Sequence, residues 1–168
     1  MFWKRRLPHW DIDDVAYFVT ACLADSIPAR GLLSINQYRD KLDQQPRPAD
    51  LTPQQWSEKK ASLLFAEREW WLDEKPAVRY FLDLDVADVV QKSFYHFAGE
   101  RYKLLAYVIM PSHIHWLFLP LPDWCEELSA RKHDRSSREV IMHSLKSFTA
   151  NECNQILGRS GPFWQDES

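Results

Sequence analysis

Residues 102–120 read Tyr-Lys-Leu-Leu-Ala-Tyr-Val-Ile-Met-Pro-Ser-His-Ile-His-Trp-Leu-Phe-Leu-Pro. Two apolar runs rich in aromatic and β-branched residues, 102–110 and 113–120, flank Pro111-Ser112, a connection that suits an antiparallel hairpin. In the second run the two-residue period of a strand puts His113 and His115 on one face and Ile114, Trp116 and Phe118 on the other. One face is therefore fit for a core, and the other presents two imidazoles that can converge on a divalent ion. Neutral imidazole binds Zn, Mn, Fe and Co, whereas Mg prefers oxygen, so the pair does not name its metal. Two ligands are also too few for a tight site. Without context, His-x-His is more often two histidines hydrogen-bonded within a sheet than a metal centre.

Outward from the hairpin, residues 15–23 (Val-Ala-Tyr-Phe-Val-Thr-Ala-Cys-Leu) read as a first buried strand that ends in a loop holding Pro28 and Gly31. Residues 32–51 show a weak pattern broken by Pro46 and Pro48, consistent with a short helix and a loop. Thr52-Pro53-Gln54-Gln55 starts a helix to about Asp73, with Thr as N-cap and Gln three residues on; Trp56, Leu63, Leu64, Trp70 and Trp71 are its core candidates. A further helix between Asp85 and Phe97 carries Val86, Val89, Val90, Phe94 and Phe97 at helical spacing and is closed by Gly99. Ser136-Ser137-Arg138-Glu139 offers a capping box for a helix from Ser137 to Leu157, with Val140, Ile141, Leu145, Phe148 and Ile156 facing inward and Gly158 closing it.

The chain has 168 residues, 45% hydrophobic and 14% aromatic, which suits one globular domain. Cys22, Cys125 and Cys153 are too scattered for a disulfide framework or a zinc ribbon, and reduced thiols in a cytoplasmic protein are the simple expectation. No secretory signal follows Lys4-Arg5-Arg6, and no apolar run reaches the roughly 18 residues of a membrane span. A net charge of −3 disfavours indiscriminate nucleic-acid binding. A DNA partner would have to meet a local patch, either residues 4–6 or the run Arg131, Lys132, Arg135 and Arg138 with His133 among them.

Residues 107–118 resemble the HUH strand of the REP-associated tyrosine transposases, single-tyrosine HUH enzymes in which an apolar strand, a Met-Pro turn and a His-hydrophobe-His triplet follow one another. Leu7-Pro8-His9-Trp10, Tyr17-Phe18-Val19-Thr20 and Leu23-Ala24-Asp25-Ser26-Ile27-Pro28 are similar to that family's opening strand and loop. Leu145-Lys146-Ser147-Phe148-Thr149-Ala150 and Gly161-Pro162-Phe163-Trp164-Gln165 match it in the same order. The resemblance implies an α+β fold: a single ferredoxin-like domain over residues 1–168, with helices packed on an antiparallel sheet, the HUH endonuclease fold. It implies His113 and His115 as metal ligands, a divalent metal cofactor (Mg or Mn), and single-stranded or hairpin DNA of the REP kind as partner. It favours a monomer over a dimer.

In that family a tyrosine hydroxyl attacks a phosphodiester of single-stranded DNA, leaving a 5′-phosphotyrosine and a free 3′-hydroxyl. The nucleophile lies on a helix beyond the Phe-Trp-Gln segment and is followed by Asn-Pro; that helix also carries a polar residue completing the metal site. No such pattern occurs here, so the resemblance places the nucleophile beyond Ser168 and no residue of this chain is assigned as catalytic. A C-terminally truncated transposase or a degenerate copy is expected, binding DNA without forming a covalent adduct. Arg131, Lys132, Arg135, Arg138 and Lys146 are the candidate phosphate contacts. Trp116 and Trp164 are candidates for base stacking, though core packing suits both better. The competing readings are a non-catalytic DNA-binding remnant and an unrelated metal hydrolase recruiting Asp25 or Glu100.

Overall fold

The computed structural model describes residues 15–131 and 135–166, and the chain is α+β, with a three-stranded antiparallel sheet and five α-helices among the described residues. These residues divide into two compact units, one of residues 15–24 with 80–166 and one of residues 25–79. No helix among them is long and apolar enough to cross a membrane.

In the first unit the strands are β1 (Tyr17–Cys22), β2 (Tyr102–Ile109) and β3 (His113–Pro120), in the order β1-β3-β2. Pro111 and Ser112 form the hairpin connection, closed by Met110 N donating to His113 O at 2.9 Å. A register shift between Leu104 and Ala106 leaves Leu105 as an irregularity in β2. Residues 163–165 run along the other edge of β1: Ala24 N donates to Phe163 O, and Gln165 N to Cys22 O, both at 2.8 Å, around an antiparallel Leu23–Trp164 bridge. Leu23 N and Phe81 N donate to the neighbouring carbonyls of Ser112 and Pro111, at 3.0 and 3.2 Å.

Alternation along β3 separates its faces as expected. Ile114, Trp116 and Phe118 are buried together with Phe94 and Tyr102. The Trp116 ring lies 5.2 Å from both Phe94 and Tyr102 and 4.2 Å from Phe118. Burying each such side chain contributes on the order of 1.5–3 kcal/mol. The Tyr102 hydroxyl donates to Phe94 O at 2.7 Å, and burial pushes it up to about 12 against the opposing effect of Arg101.

Helix α3 (Leu84–His96) is capped by Asp83, whose carboxylate accepts from Asp85 N, and it buries Val86, Val90, Ser93 and Phe94. Helix α4 (Pro122–Ala130) occupies a stretch with no element expected from the sequence; it has no side-chain cap and buries none of its residues. Helix α5 (Ser137–Ile156) has the expected Ser136–Glu139 capping box. Its packed face is Arg138, Ile141, Met142, Leu145, Thr149 and Cys153. Phe148 and Ile156, expected inward, are 54% and 44% exposed. Gly158 follows the C-cap Leu157 with φ 58, a left-handed conformation that favours glycine.

The second unit is a helical hairpin, α1 (Ala29–Gln44) and α2 (Pro53–Glu74). The short helix expected after residue 32 is four turns long and begins at Ala29, so Gly31 is helical and not part of a loop. A Cβ at Gly31 would sit 2.8 Å from Trp71 Cδ2 and 2.9 Å from Ile27 Cγ2. Close approach of α1 to α2 therefore selects glycine on the contact face of Gly31, Ile35 and Leu42. Helix α2 has the expected Thr52–Gln55 capping box and buries Trp71 and Leu72. Trp70 is 44% exposed, with the Lys75 ammonium 4.8 Å over its ring. Glu67 joins the helices, accepting from Trp71 Nε1 at 3.1 Å and Ser34 Oγ at 3.3 Å. Burial first, then Asp73, pushes the Glu69 carboxyl up to about 7 against the lowering effect of Arg68.

Candidate metal centre

β3 is the middle strand, hydrogen-bonded on both sides, so the backbone carrying the histidines is fixed by two neighbours. The antiparallel register sets His113 opposite Cys22, and His115 opposite Thr20 on one side and Val108 on the other. Paired residues share a face, so these side chains line the side of the sheet away from Trp116 and Phe118.

The two imidazoles meet edge to face, with ring centroids 4.7 Å apart, and their Nε2 atoms approach to 3.1 Å. The remaining ring nitrogens both face hydroxyls: Ser112 Oγ lies 3.1 Å from His113 Nδ1, and Thr20 Oγ1 lies 2.9 Å from His115 Nδ1. His113 is fully buried and His115 half-buried, and the Phe18 ring stacks on His115 at 5.4 Å between centroids.

This donor set fits a divalent ion. Two nitrogens each about 2.1 Å from one ion, at a right angle, lie about 3 Å apart. Hydrogen bonds at the distal ring nitrogens are what metal-bound histidines use to fix ring orientation. His113 and His115 are therefore brought together as expected.

Thr20 and Ser112 were not assigned roles from the sequence. Thr20 becomes visible only when the β1–β3 register is known, although its alternation with Phe18 and Cys22 already put the three on one face. Glu100 lies in the exposed turn before β2, at the opposite end of the hairpin from His113. Asp25 opens the helical unit with φ 58.

The strand tyrosines all face away from the histidines: Tyr17 pairs with Phe118, Tyr102 with Pro120 and Tyr107 with Trp116. Hydrogen bonds from Tyr95 and then Gln91 lower the Tyr107 hydroxyl below its usual range, but on the opposite face.

The expected DNA contacts fall in different environments. The Arg131 guanidinium, at the end of α4, lies 3.7 Å from Glu127, both exposed. Arg135 is exposed, and Lys132, like residues 4–6 and His133, lies outside the described residues. Arg138 is 9% exposed, its guanidinium 5.9 Å from the centre of the Tyr17 ring. Lys146 Nζ donates to Gln165 O at 3.1 Å. Trp116 and Trp164 are buried, at 1% and 5% exposure, as core residues.

Comparison with known proteins gives no match: no family model, no curated protein and no solved structure matches the chain.

Proposed function

We propose that this chain is the metal-binding, DNA-engaging domain of a single-tyrosine HUH transposase that acts on hairpin-flanked single-stranded DNA. The observation that carries the reading is the convergence of His113 Nε2 and His115 Nε2 on one side of the central strand, with a hydroxyl at each distal nitrogen. The chain order supports it. β1, α3, β2, β3, α5 and then residues 163–165 on the free edge of β1 follow the β-α-β-β-α-β plan of a ferredoxin-like domain, with the helical unit inserted after β1.

His113 and His115 would hold the ion, Mg or Mn by the family resemblance, while Thr20 and Ser112 orient the rings. Such an ion supplies Lewis-acid stabilisation of a scissile phosphate. Arg131 and Arg135, the exposed described members of the basic run, would be its phosphate contacts, whereas Arg138 packs by Tyr17 and Lys146 donates to Gln165 O. All the strand tyrosines lie on the face opposite the histidines, so none of them is a nucleophile for that site, and a DNA-binding protein without cleavage is the second reading.

A hairpin-flanked single-stranded oligonucleotide titrated with the purified chain tests both readings. Binding that Mn2+ strengthens and His113→Ala weakens is expected, with no denaturant-resistant adduct. Binding indifferent to metal and to His113→Ala would leave the second reading, and no binding would reject both. A covalent adduct would overturn the assignment of the described tyrosines.

A further inference from the structure

The geometry points to Thr20 and Ser112 as positioning residues of a tautomer exchange, in which the histidine pair trades an internal N–H···N hydrogen bond for a shared metal ion. This inference rests on the metal reading of His113 and His115. Two Nε2 atoms 3.1 Å apart cannot both carry hydrogen without clash, and two facing lone pairs repel. With both rings neutral and no metal, one ring therefore carries its proton on Nε2 and donates it to the other, whose proton is on Nδ1.

An ion shared by both rings needs both Nε2 lone pairs. The Nε2 proton of the donating ring must then leave and a proton must arrive on Nδ1 of the same ring, relayed by water, so that no proton is gained or lost. The group facing that Nδ1 must change from hydrogen-bond donor to acceptor. A backbone carbonyl can only accept and an amide N–H can only donate, whereas a hydroxyl does either by rotating about its Cβ–O bond. Both Nδ1 atoms face hydroxyls, Ser112 at 3.1 Å and Thr20 at 2.9 Å. The pair can thus satisfy itself when empty and open to a cation without leaving a ring nitrogen unpaired.

The test is imidazole 15N NMR on the full chain, with Zn2+ as a diamagnetic probe. Before metal, one histidine of the pair is expected as the Nε2–H tautomer and the other as Nδ1–H; after Zn2+, both as Nδ1–H. Thr20→Val, which keeps the shape of the side chain, is expected to weaken Zn2+ binding about tenfold or more, the range found for lost partners of metal-bound histidines. Thr20→Ser restores it, and Ser112→Ala gives an independent second case. Unfolding temperatures show that each variant is folded. Identical tautomers in the metal-free pair, or Thr20→Val and Ser112→Ala both within twofold of wild type, would overturn the exchange while leaving the metal ligands in place. Wild-type protein that binds no Zn2+ would overturn the metal reading, and the exchange with it.

Discussion

Replacing Thr149 by Val tests what holds residues 163–165 against β1. Thr149 is fully buried on α5, its Oγ1 accepting from Trp164 Nε1 at 2.9 Å and donating to Leu145 O at 2.8 Å. Valine keeps the side-chain shape, and the two residues have similar helix propensity. Leu145 O keeps its helical partner, so the loss falls on the indole N–H, left buried without an acceptor at a cost of about 1–3 kcal/mol. A methyl in place of the hydroxyl returns up to about 0.8 kcal/mol. The expected net loss is about 1–2 kcal/mol, read from urea unfolding with an unchanged m value. A cycle with Trp164→Phe should show a coupling of at least about 0.5 kcal/mol, because the second substitution removes the orphaned donor. A Thr149→Val protein within about 0.3 kcal/mol of wild type, or a cycle that closes additively, would refute the reasoning.

Three further predictions follow from the geometry. Gly31→Ala is expected to lower the unfolding temperature, since overpacking against Trp71 costs about 1–3 kcal/mol and exceeds the helix propensity gained, at most about 1 kcal/mol; an unchanged temperature would mean that α1 and α2 separate freely. Cys22 and Cys153 are buried, and burial pushes the Cys153 thiol up to about 12, so in native protein a disulfide reagent should react fast with the half-buried Cys125 alone and with all three thiols in denaturant; rapid loss of all three without denaturant would contradict the packing. For Glu69 the folded chain holds the proton more tightly than the unfolded one, so its contribution to stability falls as pH rises from 4.5 to about 7. Glu69→Gln should therefore raise stability at pH 8 relative to wild type and change it little at pH 4, and an equal effect at both would refute the shift.

What could be read from the sequence was local. The hairpin, both capping boxes and the facing of His113 and His115 depend on residues within a few positions of one another. The extents of α1 and α4 were harder to read: both carry apolar residues at helical spacing, Ile35, Tyr38 and Leu42 in one and Trp124, Cys125 and Leu128 in the other, but neither opens on a side-chain cap, as α2, α3 and α5 do. Phe148 was expected inward by its chemistry, yet the helix turns Leu145 and Thr149 to the core and leaves Phe148 a third of a turn away. Arg138 looked like a phosphate contact because charge is visible in sequence and a Tyr17 ring beneath it is not. At the site, alternation was enough for the ligands, but the hydroxyl of Thr20 required the pairing of strands 95 residues apart.

Leu23 and Phe81 donate to two successive carbonyls of the hairpin turn. The chain thus leaves the sheet and comes back at one point, directly before the histidine strand. In terms of chain entropy the helical unit is a closed loop with its ends already joined, and doubling such a loop adds only about 0.6 kcal/mol to its closure. Closure of the excursion therefore sets almost no limit on its length, which is left to the packing of α1 on α2, and the two groups that close it are main-chain carbonyls.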